Sequence, residues 1–172
     1  MRVVCALAII AAVAAPAAAQ TGPTVGAMKM QYELVKGNVT KSAEKISEDL
    51  YAFKPTPEVR SLGQLFGHIA DANYMFCSAA SGTKGPEGSI EKTKSSKADL
   101  QKALADSFAF CDTAFGGMTD AKGAEAVNLF GMNQTRLSVL GFNTAHDFEH
   151  YGNLVTYMRL KSIVPPSSEQ RR

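Results

Sequence analysis

The stretch Asn143-Thr144-Ala145-His146-Asp147-Phe148-Glu149-His150-Tyr151-Gly152-Asn153-Leu154-Val155-Thr156-Tyr157 holds two of the three histidines of the chain, four residues apart. Four residues make about one turn of α-helix, so His146 and His150 project from the same face, roughly 40° apart. Two imidazoles so placed form a clamp for a divalent transition metal. A third from a neighbouring helix, His68, completes a three-histidine site and leaves positions free for water or substrate.

The rest of this segment is helical by pattern. Leu137, Leu140, Phe148, Tyr151 and Leu154 form an apolar seam over residues 133–160. Asn143, His146, Glu149, His150, Asn153 and Tyr157 project into one polar arc roughly 120° wide. Polar groups left unpaired inside a core cost about 1 to 3 kcal/mol each, so such an arc bonds internally, faces water or holds a ligand. His68 shares a face with Gln64, Asp71 and Ala72 on an earlier helix that opens with the capping-box pattern Ser61-Leu62-Gly63-Gln64 and runs to about residue 80.

Two further amphipathic stretches complete the reading. Met28, Tyr32, Val35, Val39, Ala43 and Ile46 step by three and four over residues 24–47, and Pro55-Thr56-Pro57 stops the helix from continuing. Leu100, Leu104, Phe108, Cys111 and Phe115 form the seam of a helix that begins near Ser96 and ends at Gly116-Gly117. No strand alternation and no internal repeat stand out. Four such helices sharing one core predict an all-α four-helix bundle over residues 20–160.

The ends read differently. Arg2, the apolar run from Val3 to Val13 and Ala17-Ala18-Ala19 ahead of Gln20 have the form of a secretory signal over residues 1–19, which predicts a periplasmic or secreted protein without stable membrane insertion after cleavage. Residues 161–172, with Val164-Pro165-Pro166-Ser167, read as a disordered tail.

The net charge of +2 and the scattered lysines speak against nucleic acid as a partner. The loop Ser81 to Gly88 is glycine-rich but lacks a preceding strand and a Gly-Lys-Ser/Thr ending, so it is a connector and not a phosphate cradle. Cys77 and Cys111 remain after signal removal. They stand as a disulfide, as separate buried thiols or as metal ligands, although Cys77 lies nine residues after His68, roughly opposite it on the helix.

The segments Phe53-Lys54-Pro55-Thr56-Pro57-Glu58-Val59-Arg60-Ser61-Leu62-Gly63-Gln64-Leu65-Phe66-Gly67-His68-Ile69-Ala70 and Asn143 to Arg159 together resemble the DinB-like superfamily of metal-binding four-helix bundles, over essentially the whole mature chain. The resemblance implies an up-down-down-up bundle with one histidine on the second helix and two on the fourth, matched by His68, His146 and His150. It also implies zinc, nickel or a similar ion, and homodimers are common among such bundles. Similar proteins include thiol S-transferases and a few hydrolases acting on small molecules. A transferase or hydrolase reading assigns Glu149 or Asp71 as general base and Tyr157 as donor to an oxyanion. Asp71, Glu149 and Asn143 are also candidate acceptors that would fix the imidazole tautomers. The alternative is a non-catalytic metal-binding or stress-response bundle in which the ion joins two helices.

Overall fold

The computed structural model describes residues 22–169; the proposed signal segment lies outside them. Four long helices, α1 (Pro23–Lys45), α2 (Leu62–Ser81), α4 (Lys97–Gly116) and α6 (Arg136–Leu160), form an all-α bundle. Single-turn helices α3 (Ile90–Thr93) and α5 (Asp120–Gly123) lie in the connectors. Around the square, α2 packs on α4 and α6, and α1 packs on the same two.

Named contacts fix the directions. Asn73 meets Ser107 and Cys77 is bridged to Cys111, so α2 and α4 run parallel. Tyr32 reaches Phe108 while Gln101 reaches Ala43, so α1 and α4 are antiparallel. Arg136 at the start of α6 donates to the Ala80 carbonyl at the end of α2, which sets those two helices antiparallel. The result is the up-down-down-up order.

Local chemistry explains where the helices begin. Ser61 and Gln64 form the full capping box on α2, and Ser96 and Thr135 side chains accept from the third backbone N–H of α4 and α6. The core is the merger of the four seams, with Tyr32, Phe66, Phe76, Phe108 and Phe115 as its largest fully buried side chains. The cysteine alternatives resolve to a disulfide that ties α2 to α4 with Cα atoms 5.3 Å apart, on the side of α2 away from His68.

Three expectations are corrected. α6 starts at Arg136 because residues before it form an antiparallel hairpin, β1 (Ala126–Leu129) and β2 (Met132–Thr135), where no strand was expected. Leu129 alone is buried on these short strands, so period-two alternation is too weak to read. α1 ends at Lys45, two residues early, with Ile46 extended. The segment expected to be a disordered tail is held down as far as Glu169. Pro165 is buried, Tyr151 Oη donates to Ser167 Oγ, and Lys45 pairs with Glu169.

Candidate metal centre

His68 on α2 and His146 and His150 on α6 meet at the seam between those antiparallel helices. His146 Nε2 lies 3.2 Å from His68 Nε2 and 3.1 Å from His150 Nε2, and one ligand nitrogen from each of the three lies within 4.8 Å of the others. A cation with bonds of about 2.0 to 2.1 Å sets ligand nitrogens about 3.3 to 3.4 Å apart in a tetrahedron and about 3.0 Å apart on an octahedral face. The two spacings fall between these limits.

The far side of each ring tells which nitrogen faces inward. Glu91, a carboxylate with acceptor capacity only, lies 3.1 Å from His68 Nδ1, and Asn153 Oδ1 lies 3.3 Å from His150 Nδ1. Both rings therefore carry the proton on Nδ1 and turn an Nε2 lone pair inward. Facing lone pairs repel unless a cation or a proton sits between them. A single N–H on His146 cannot serve both neighbours fully, and His146 Nδ1 is buried without a partner among the described residues. The donor set thus fits a divalent ion. Burial first, then the neighbouring His150 and His68, lowers the His146 pKa to about 4, and burial lowers that of His150. Both are neutral at pH 7, as ligands must be.

Glu91 is the residue that the sequence reading missed. It sits on α3, in the connector after α2, and also accepts from Arg60 Nε at 2.9 Å. Two features deliver it. Asp71 accepts from the backbone N–H groups of Ile90 at 2.7 Å and Glu91 at 3.0 Å, and from Ser89 Oγ, pinning α3 to α2. At Gly67 the two segments nearly touch: a Cβ there would stand 2.7 Å from Glu91 Cα, so only glycine admits the approach.

The proposed helpers separate accordingly. Asp71 does not bond His68; its carboxylate is engaged in capping α3, one turn away from the imidazole it was expected to orient. Asn143 points into the core, where Nδ2 donates at 3.0 Å to Oδ1 of Asn73 on the interior-facing side of α2, so it bonds that helix away from the histidine rings. Glu149 is exposed on α6. Tyr157 is buried with its ring edge-on to Phe53, and it borders an open basin of about 790 Å3 together with Lys54, Arg60, Gln64, Glu91 and Asn153. Because Glu91 and Asn153 hold the ring nitrogens of two histidines, this basin adjoins the centre.

One buried polar group stands apart. Asp147, beside His146 in sequence, is fully buried with neither carboxylate oxygen bonded among the described residues, and burial pushes its pKa well above the usual carboxylate range.

Comparison with known proteins agrees with this architecture. The model of the DinB superfamily matches residues 31–154. The uncharacterized protein YjoA of Bacillus subtilis strain 168 is 29% identical over 126 residues, covering 71% of this chain and 81% of YjoA. The crystal structure of that DinB-like protein superposes with a TM-score of 0.68 at 21% identity, covering 85% of this chain and 99% of the other. A DinB-like protein from Bacillus cereus ATCC 10987 gives a TM-score of 0.71 at 16% identity, with coverage of 82% and 95%. An H52A mutant of a mycothiol-dependent maleylpyruvate isomerase gives 0.64 at 14% identity, over 76% of this chain and 60% of that one. With a family match that spans most of its length and solved structures of the same fold, the chain belongs to the DinB superfamily.

Proposed function

We propose that this is an exported protein whose three-histidine centre holds a divalent ion, zinc or nickel, and serves transferase or hydrolase chemistry on a small molecule. The observation that carries the reading is the convergence of three imidazoles, two of them with their protons fixed on the outer nitrogen, beside an open polar basin. A divalent ion on neutral ligands supplies Lewis acidity, drawing the pKa of a bound water or thiol toward neutrality.

The chain's own residues do the rest. Glu91 and Asn153 keep the His68 and His150 protons outward and the rings aimed. Arg60 neutralises Glu91 and so keeps that carboxylate from competing as a ligand. Tyr157 and Gln64 line the basin where a polar substrate group would rest, and the Tyr157 hydroxyl is our candidate donor there. Glu149, exposed one residue from His150, is the remaining carboxylate for proton transfer, since Asp71 is committed to α3. The similarity to a mycothiol-dependent isomerase supports thiol chemistry. The Cys77–Cys111 disulfide supports export to an oxidising compartment, as does the N-terminal pattern. No helix among the described residues is long and apolar enough to cross a membrane.

Three histidines leave coordination positions open, whereas structural sites are usually closed by four protein ligands, and this favours catalysis over a purely structural ion. The ligands nevertheless join α2 to α6, which is the observation behind the non-catalytic alternative. Assays of the zinc- and nickel-loaded protein against thiol-transfer, ester and amide substrates separate the two. Turnover that disappears in His150→Ala supports the enzyme; tight metal retention with no turnover on any class supports the alternative.

A further inference from the structure

The groove in which the histidines sit has two unlike ends. Toward the end of α6 and the start of α2 it opens into the basin of Arg60, Gln64 and Asn153. In the opposite direction the histidine faces continue as apolar side chains. Phe142 stands one turn before His146 on α6, about 6 Å along the axis, and Met75 stands two turns after His68 on α2, about 10 Å along, both on nearly the same faces as the ligands. Phe142 is 55% exposed and Met75 43% exposed. The hairpin that precedes α6 brings a third, Phe130, 63% exposed. The buried Phe76 ring joins Phe142 and Phe130 to the centre, with centroids 5.2 Å from Phe142, 6.1 Å from Phe130 and 5.7 Å from His146.

Phe130 is also placed at a cost to the fold. It occupies the first loop position of a two-residue hairpin turn with φ 54°, and Gly131 follows with φ 78°. That left-handed pair is the type I′ pattern, for which Asn-Gly or Asp-Gly is favoured and a bulky aromatic is strained. Its ring gains little burial in return. A strained, exposed aromatic beside a metal centre is the signature of a residue kept for contact and not for stability.

We propose that the α2/α6 groove binds an amphipathic small molecule lengthwise: a polar head at the histidine centre and its basin, and an aliphatic or aromatic tail on Phe130, Phe142 and Met75, with Phe130 as a specificity-determining residue. This rests on the metal-centre reading above and adds the class of substrate.

Acetohydroxamate and octanohydroxamate share a metal-binding head and differ in tail, so their dissociation constants for the zinc-loaded protein isolate the apolar wall. The wild type binds the octanoyl compound at least about 30-fold more tightly, from half-burial of six added methylenes. Phe130→Asn reduces that preference about tenfold, leaves acetohydroxamate affinity unchanged, and raises Tm by about 2 to 4 °C because the turn is relieved. Leu34→Ala, at an exposed apolar residue on α1, leaves the preference as it was. An unchanged preference in Phe130→Asn overturns the proposal, as does a wild-type dimer that Phe130→Asn dissolves, since the wall then serves self-association. If zinc does not bind stoichiometrically and neither hydroxamate binds, it is the metal-centre reading that fails, and the groove assignment falls with it.

Discussion

α6 carries two buried polar groupings, and they behave in opposite ways. Toward α2, His146 and His150 join His68 with every outward ring nitrogen but one given an acceptor, and with the inward nitrogens aimed at a common point. Toward the bundle interior, Asn143 and Asp147 leave Asn143 Oδ1 and both Asp147 oxygens without partners among the described residues, sealed from solvent. Polarity in a helix interior is therefore not in itself a site. What distinguishes the first grouping is convergence of like lone pairs, fixed tautomers and an adjoining opening; the second has none of these.

The largest test of that contrast is His150→Ala. It abolishes stoichiometric zinc or nickel in equilibrium dialysis while the far-ultraviolet spectrum stays helical; wild-type occupancy would mean that the convergence is incidental. Next comes the orienting carboxylate. Glu91→Ala weakens metal affinity about 10- to 100-fold, the usual effect of losing a group that holds a ligand ring, and Glu91→Gln weakens it less because the amide oxygen still accepts from Nδ1. Equal affinity in both variants and the wild type would reduce Glu91 to an ordinary ion-pair partner of Arg60.

The interior grouping should respond in the other sense. Asp147→Leu removes an unsatisfied buried carboxyl and stabilises the protein by about 1 to 3 kcal/mol in urea unfolding, with no change in metal affinity. A loss of stability would show that Asp147 has a partner that the geometry conceals.

The smallest expected effect is one of pH. In metal-free protein the His146 pKa is lowered to about 4 from an ordinary 6.5, so between those values the unfolded chain takes up a proton that the folded one refuses. The contribution of His146 to stability is fully present above pH 6.5 and declines as pH falls toward 4; the lowered His150 adds in the same direction, and the raised Asp147 acts in the opposite one. His146→Gln flattens this acidic limb of Tm against pH in chelator; an identical limb in the variant would place the titration elsewhere.

How far this was legible in the sequence differs between the same regions. The seams of α1, α2, α4 and α6 step cleanly by three and four, and the ligand faces follow from helical spacing, so the bundle and the three histidines could be read directly. The capping box at Ser61 announced the start of α2 for the same reason, being local. Glu91 was hidden because its approach to His68 depends on a 23-residue separation, on Asp71 pinning a single helical turn and on the absent Cβ of Gly67. Asn143 was misplaced because a projection gives an angle but not which residue of the facing helix meets it: α2 receives Asn143 through Asn73 on its core side and not through His68. The tail was misread because composition says nothing of the Tyr151 hydroxyl waiting for Ser167.

The central claim is that imidazoles from α2 and α6 enclose one cation. X-ray absorption at the zinc edge of stoichiometrically loaded protein tests it most directly. The account predicts one ion per chain with three imidazole nitrogens at about 2.0 to 2.1 Å and a lighter remainder from solvent oxygen. A shell with fewer than three imidazoles, or one containing sulfur, would contradict it.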